Sequence, residues 1–265
     1  MSEGERVTAR RGSQPEAIVP DWNAHPNVRG IVTTRRGGVS TGPYASMNLG
    51  LAGDAREAVI ENRRRLATTL PEPPVWLAQV HGRRAITVDQ DSLHTFRETP
   101  PTADAAVTRI AGTPLAVLVA DCLPVFLADR SGTVIGVAHA GWRGLAAGVL
   151  ESTLAAMRIA PAEIVAWLGP AIGPGAFEVG RDVLDAFTAS DADAARHFAP
   201  RAPGKWLADL GALARRRLER AGVREILVDG SCTVSEPERF YSYRRDRVTG
   251  RMAAILWLEA TSAHT

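Results

Sequence analysis

The stretch PLAVLVADCLPVFLADRSGTVIGVAHAGWRG, residues 114–144, decides the fold of this chain. Its apolar runs are short, rich in β-branched residues and interrupted by a polar turn at 129–132, which is typical of buried strands and a hairpin. The first run leads into Cys122, and the second strand of the hairpin leads into His139. The pattern then becomes helical up to about residue 158. This mixture of hairpins and helices predicts an α+β fold.

The flanking sequence predicts a single catalytic domain over 17–265, with mixed β-sheets flanked by helices, after a disordered lead-in at 1–16. Residues 84–88 are expected to return beside 75–80, and the polar stretch 93–102 is expected to be a surface loop. Asp54 is expected to cap the first helix. The predicted strands are 28–34, 75–80, 84–88, 164–168, 224–230 and 251–258, and the further helices are 55–69, 181–187 and 205–221.

Composition excludes several classes of protein. The net charge of +2 is too balanced to indicate a nucleic-acid or membrane-surface partner. The polar N-terminus lacks the apolar core of a signal peptide, and no apolar run reaches the roughly 18 residues of a membrane helix. Two cysteines, Cys122 and Cys232, in a chain long enough to bury a large core favour a reduced, cytoplasmic protein.

Three side chains that can bind metals follow predicted strands. They are His81 in QVHG, Cys122 in ADCLPV and His139 in AHAGWRG. Two imidazoles and a thiolate suit zinc, and three protein ligands leave a fourth position free, as in catalytic sites. The separations match no zinc-finger spacing. A cysteine hydrolase with Cys122 as nucleophile and His139 as base fits the same residues equally well.

Arginines in three polar segments are candidates for anion binding. Arg143 stands in the turn between a strand and a helix, where backbone N–H groups also suit a phosphate. TTRRGGVS carries Arg35, and YSYRRDRVTGR carries Arg245 among other arginines. Such loops can clamp an anion or stack on a base, although many surface arginines do neither.

The motifs QVHG, TADAAVT, ADCLPV, AHAGWRG, LGPAIGPGAFEVG and FYSYRRD with TGRM occur in this order. Together they resemble the laccase-domain family, also called the peptidoglycan-editing-factor family, whose members were formerly described as multicopper polyphenol oxidases. The resemblance spans about residues 28–258. It implies a single α+β domain related to cysteine-hydrolase-like folds, with zinc held by His81, Cys122 and His139.

The resemblance also implies an activity. Members of the family act on purine nucleosides, by phosphorolysis of adenosine, inosine, guanosine and methylthioadenosine and by deamination of adenosine. The expected partners are therefore small molecules, a nucleoside and phosphate. Arg35, Asn48, Arg143 and Arg245 fall on family motif positions and are expected to bind substrate. The chain departs from the family in lacking the usual histidine after the NLG motif, and in having Arg247 where SYRRDG has glycine.

A true multicopper oxidase is excluded by a shortage of histidines. The six in this chain include no HxH pair, too few for a trinuclear cluster with a separate blue-copper site. Copper can still occupy a nitrogen and sulfur site, because it binds such ligands more tightly than zinc does. The alternatives to a phosphorylase are a copper-dependent polyphenol oxidase, an amidase that removes misincorporated serine from a peptidoglycan precursor, and a non-catalytic zinc-stabilised module.

Overall fold

The computed structural model describes residues 15–260, which form fourteen strands and seven α-helices. The strands are β1 Ala17–Ile18, β2 Val28–Thr33, β3 Val75–Trp76, β4 Ala85–Val88, β5 Ala105–Thr108, β6 Leu115–Val119, β7 Leu123–Asp129, β8 Ile135–Ala140, β9 Ile164–Leu168, β10 Glu178–Val179, β11 Phe198–Ala202, β12 Lys205–Ala208, β13 Glu225–Val228 and β14 Met252–Leu258. The helices are α1 Arg56–Ala67, α2 Gln90–Glu98, α3 Trp142–Ala147, α4 Val149–Met157, α5 Arg181–Thr188, α6 Leu210–Arg220 and α7 Tyr243–Asp246.

The predicted hairpin is confirmed as β7 and β8, the centre of a six-stranded sheet. The two strands are antiparallel, and Leu123 lies opposite Ala140. Asp129 fixes the turn, because its buried carboxylate accepts hydrogen bonds from the Thr133 and Val134 amides at 2.7 and 2.8 Å. The strand order is β13-β9-β7-β8-β5-β4.

A five-stranded sheet packs against one face of this sheet. Its order is β1-β2-β14-β6-β3, with β14 antiparallel to both β2 and β6. The apolar layer between the two sheets contains Phe126 and Trp167 from one and Val117 and Leu256 from the other. Gly30 is required in this layer, since a β-carbon there would lie 2.9 Å from the Phe126 ring.

Helices cover the other face of the six-stranded sheet. Helices α4, α5 and α6 contribute Leu154, Phe187 and Leu213 to the largest apolar cluster, which also contains residues of β7 and β9. A small sheet, β10-β12-β11, lies beside α5. The predicted α+β class, with mixed sheets flanked by helices, is confirmed. No helix within 15–260 combines the length and apolar character that crossing a bilayer requires.

Two predictions around residues 84–102 are wrong. Residues 84–88 do not return beside 75–80, because β4 pairs with β5 in the other sheet. The expected loop at 93–102 is largely helix α2. Asp89 and Ser92 cap this helix reciprocally, and such a cap stabilises a short polar helix that has no buried residue.

Three helix boundaries also differ from the prediction. Asp54 does not cap α1, because the N-cap of this helix is Ala55. The Asp54 carboxylate instead accepts a hydrogen bond from the Asn48 side chain at 3.0 Å. The helix expected at 205–221 begins only after β12, where the Asp209 side chain caps α6. The helix expected up to residue 158 is broken at Gly148, whose φ of 99° suits glycine.

Of the predicted lead-in at 1–16, residues 1–14 lie outside the described part of the chain. Glu16 is described, and its carbonyl accepts a hydrogen bond from the Thr34 amide at 2.8 Å beside strand β1. The domain boundaries 17–265 therefore stay a prediction.

Candidate active site

The sheets bring the three candidate ligands together. Cys122 immediately precedes β7, and His139 is the second-last residue of β8. Since the hairpin register pairs Leu123 with Ala140, Cys122 stands beside the end of β8. His81 comes from the loop after β3, at the edge of the other large sheet.

The ligand atoms of the three side chains all lie within 4.8 Å of one another, close enough to hold one metal ion. The imidazole rings of His81 and His139 meet edge to face, with centroids 4.7 Å apart. His139 is buried, Cys122 is half-buried and His81 is exposed, so the group opens to solvent on one side. Neither Cys122 nor Cys232 is in a disulfide.

Asp104, immediately before β5, forms hydrogen bonds to both histidine ligands. Its fully buried carboxylate pairs with His139 Nδ1 at 2.9 Å, which leaves Nε2 of that ring for a metal. The same carboxylate accepts hydrogen bonds from the amides of Val80, His81 and Gly82 at 3.2, 2.9 and 2.7 Å. One side chain thus fixes both the ring of His139 and the loop that carries His81.

The electrostatics of the group favour a thiolate beside an imidazolium. Burial raises the pKa of the Cys122 thiol, but the charges and hydrogen bonds of His139 and His81 outweigh burial and lower it. Burial alone would lower the pKa of His139. The charges and hydrogen bonds of Cys122 and Asp104 outweigh burial, so the pKa is raised overall. Without a metal, negative charge at sulfur is therefore stabilised, and thiolate is the form that binds metals.

Two ligand loops have unusual backbone conformations. His81 has a φ of 57° and Asp121, just before Cys122, has a φ of 92°. Residues other than glycine are held in this region only where their surroundings fix them. Asp104 fixes the first loop, and the Asp121 carboxylate is held by the Thr233 hydroxyl and the Arg244 amide, both at 2.6 Å.

The three ligands lie at a cavity of about 570 Å³, a volume ordinary for a small-molecule site. Aromatic side chains contribute apolar surface to its wall. Four arginines line it as well, and the acidic side chain in its lining is Asp121. The aromatic residues are Trp142, Phe177 and Tyr243, and the arginines are Arg143, Arg244, Arg247 and Arg251.

Of the residues expected to bind substrate, Arg143 lines the cavity and three others do not. The Arg35 guanidinium bonds the carbonyls of Ala45 and Pro237. Arg245 bonds the carbonyls of Thr233, Val234 and Phe240. Asn48 is buried, and its side-chain oxygen accepts hydrogen bonds from the Gly50 and Arg251 amides at 3.0 and 2.8 Å. These three side chains hold loops in place around the cavity.

Sequence reasoning did not single out Asp104 or Asp121 as site residues. Asp104 adjoins Ala105 of β5, Asp121 lies two residues after β6, and both are buried. An acidic residue beside a strand that must be buried needs hydrogen-bonding partners, which is a usable signal for a structural or catalytic carboxylate. The partners themselves come from distant segments and have no local pattern.

The α+β fold brings two imidazoles and a thiol together at an arginine-lined cavity. This arrangement defines a candidate metalloprotein. The profile of the family described as multi-copper polyphenol oxidoreductase laccase matches residues 29–259, so the chain belongs to this family. The resemblance of the motifs is thereby confirmed.

Relatives of this chain carry a more specific name. A "Purine nucleoside phosphorylase" of Xylella fastidiosa is 50% identical over 250 residues, covering 91% of this chain and 96% of the relative. "Purine nucleoside phosphorylase YfiH" of Escherichia coli is 49% identical over 244 residues, covering 91% and 98%.

Solved structures agree with the fold. Neisseria meningitidis protein NMB0706 is 46% identical with a TM-score of 0.89, covering 92% of this chain and all of that one (100%). YlmD from Geobacillus stearothermophilus is 37% identical with a TM-score of 0.80, covering 89% and 93%.

Proposed function

We propose that this protein is a zinc-dependent purine nucleoside phosphorylase with adenosine deaminase activity. The observation that carries the proposal is the convergence of His81, Cys122 and His139 at a cavity lined by arginines and aromatic side chains. The names of the relatives, at about half identity over nearly whole chains, support the same reaction.

The donor set fits zinc. Two imidazole nitrogens and one thiolate sulfur are preferred zinc ligands, and three protein ligands are the number found in catalytic sites. The Asp104 carboxylate behind His139 is the partner that zinc-binding histidines usually have. His81, Cys122 and His139 would hold the zinc ion, which would supply Lewis acidity and make hydroxide available near neutral pH.

Phosphorolysis requires the cavity to hold two substrates, a purine nucleoside and phosphate. The aromatic wall of Trp142, Phe177 and Tyr243 offers ring surface to the purine, and arginines offer charged donors to phosphate. An oxygen of phosphate bonds to the anomeric carbon of ribose while the bond from that carbon to the purine nitrogen breaks. The electron pair leaves with the base, which takes up the proton that the attacking phosphate loses. Binding and orienting both substrates is the main task of these residues.

Deamination uses the same cavity with water in place of phosphate. Water adds to the purine carbon that bears the amino group, and a proton from the water moves to that amino group. Ammonia then leaves, so that adenosine becomes inosine. Because this reaction needs no phosphate, the two activities can be measured separately on one preparation of the protein.

The test compares Cys122→Ala with Cys232→Ala, which removes a cysteine that does not line the cavity. We expect wild type and Cys232→Ala to contain one zinc ion per chain and to release ribose 1-phosphate from inosine and phosphate. Cys122→Ala should lose both zinc and turnover. If Cys122→Ala kept its zinc and its rate, the proposal would be wrong.

A second candidate function is favoured by the line from Asp104 through His139 to Cys122. A carboxylate that orients a histidine beside a thiol is also the arrangement of a cysteine hydrolase, here an amidase acting on a peptidoglycan precursor. The thiolate would attack the amide carbonyl, His139 would give a proton to the leaving amine, and water would then release the acyl group.

Metal removal separates the two candidates. A phosphorylase that needs zinc loses turnover in a chelator and regains it when zinc is restored. A cysteine amidase would release free serine from a muropeptide nucleotide in the presence of the chelator, and iodoacetamide would abolish that release.

A further inference from the structure

The arginines of the cavity lack acidic partners. None of Arg143, Arg244, Arg247 and Arg251 forms an ion pair with a carboxylate within 15–260. Elsewhere in the chain, arginines such as Arg64 do pair, in that case with Glu61 at 2.7 Å. The cavity lining therefore has an excess of positive charge, with four guanidinium groups and one carboxylate, that of Asp121.

Three of these arginines belong to one short segment, 243–251, which forms one wall of the cavity. Arg244 donates to the carbonyl of Glu178 at 2.9 Å, and Arg251 donates to the carbonyl of Gly250 at 2.9 Å. A carbonyl oxygen orients a guanidinium without cancelling its charge. The Arg247 guanidinium lies 5.8 Å from the centre of the Tyr243 ring.

Two buried side chains hold this segment in place. The Asp121 carboxylate accepts a hydrogen bond from the Arg244 amide at 2.6 Å, and Asn48 accepts one from the Arg251 amide at 2.8 Å. Because Asp121 adjoins Cys122, the segment is fixed directly to the candidate metal ligands. The Asp121 carboxylate accepts hydrogen bonds from the Arg244 amide and the Thr233 hydroxyl, and within 15–260 no guanidinium group forms an ion pair with it.

We propose that Arg244, Arg247 and Arg251 form the subsite for inorganic phosphate, the co-substrate of the proposed reaction. Guanidinium groups match phosphate oxygens with paired N–H donors, and the hydrogen bonds of Arg244 and Arg251 to carbonyls reduce the entropy that these two side chains lose on binding. The inference rests on the proposed function for the identity of the anion. The Arg244 and Arg247 guanidinium groups lie near the Phe177 and Tyr243 rings, so phosphate would bind beside a base that stacks on these rings.

The binding test does not require turnover. Isothermal titration of the zinc-loaded protein with inorganic phosphate, without nucleoside and at constant ionic strength, measures the subsite alone. We expect Arg247→Gln to weaken phosphate binding by roughly tenfold to a hundredfold, the range for losing a charge-assisted hydrogen bond. Arg247→Lys keeps the charge but loses the fork, and should fall between. Arg64→Gln, a matched surface variant on α1, should bind phosphate like wild type.

The kinetic test asks whether phosphate and the nucleoside are bound by different side chains. Arg247→Gln should raise KM for phosphate by a similar factor and leave KM for inosine within about twofold. A titration with inosine 5′-monophosphate distinguishes free phosphate from a phosphate ester, since tighter binding of the ester would overturn the assignment to the free anion. Wild-type phosphate affinity in both Arg247→Gln and the double variant Arg244→Gln/Arg247→Gln would overturn the subsite itself. Phosphate binding without phosphorolysis would contradict the proposed function and leave the subsite standing.

Discussion

Replacing Asp104 by asparagine tests whether the site needs the negative charge of this side chain or only its shape. The Asp104 oxygens each serve two donors: Oδ1 bonds the His81 amide and His139 Nδ1, and Oδ2 bonds the amides of Val80 and Gly82. Asparagine has the same outline but only one acceptor oxygen. Whichever way its amide turns, an N–H group faces two other donors.

The cost follows from those contacts. Two hydrogen bonds to a buried, charged acceptor are lost, and each is typically worth about 1.5–3 kcal/mol. The free energy of unfolding should therefore fall by about 3–5 kcal/mol, the usual range for breaking a buried ion pair. Zinc affinity should fall about tenfold to a hundredfold, because His139 loses the partner that fixes its ring.

Zinc dissociation constants from competition with a chromophoric chelator test this directly, and urea unfolding gives the stability. Asp129→Asn is the matched control, since Asp129 is also a buried carboxylate that accepts backbone hydrogen bonds, but in the β7–β8 turn away from the site. The control should lose stability and keep its zinc affinity. An Asp104→Asn protein with wild-type zinc affinity would refute the reasoning.

Three further changes have defined outcomes. Gly141→Ala would place a β-carbon 2.9 Å from Cys122 Sγ, at a backbone φ of −63° that alanine tolerates. Zinc affinity should therefore drop while the helical circular-dichroism signal stays unchanged. Wild-type zinc affinity in this variant would contradict the predicted crowding of Cys122. Tyr241→Phe removes a hydrogen bond to the Tyr44 carbonyl and should lower the free energy of unfolding in urea by about 1–2 kcal/mol. In metal-free protein, alkylation of Cys122 by iodoacetamide should slow as pH falls through about 6, the lowered pKa of its thiol; a midpoint near 9 would show an ordinary thiol.

The sequence was most informative where strands are long and buried. The runs of β6, β7, β8 and β14 have apolar residues in nearly every position, and the turn at 129–132 is polar, so their positions follow from local pattern. Cys122 and His139 could be found because they stand at the ends of those runs, and His81 because it follows the predicted strand 75–80, of which the structure forms only β3. Their convergence on one point was a prediction that only the pairing of β7 with β8, and the placement of β3, could confirm.

Local pattern failed where tertiary contacts decide. Helix α2 is polar and depends on its cap, and β4 is apolar enough to pair with either sheet. The function of Asp104 depends on four donors from segments that lie more than 20 residues away. Arg35 and Arg245 illustrate the opposite case, because arginines in polar loops suggest ligand binding, yet these two donate to backbone carbonyls and do not line the cavity.

The most direct test of the central claim is X-ray absorption at the zinc edge on protein purified without added metal. The account predicts bound zinc with two imidazole nitrogens at about 2.0–2.1 Å and one sulfur at about 2.3 Å, and no zinc-edge signal from Cys122→Ala, which should lose the metal. Zinc surrounded by nitrogen and oxygen alone in the wild-type protein would contradict it, because His81, Cys122 and His139 would then not share a metal ion.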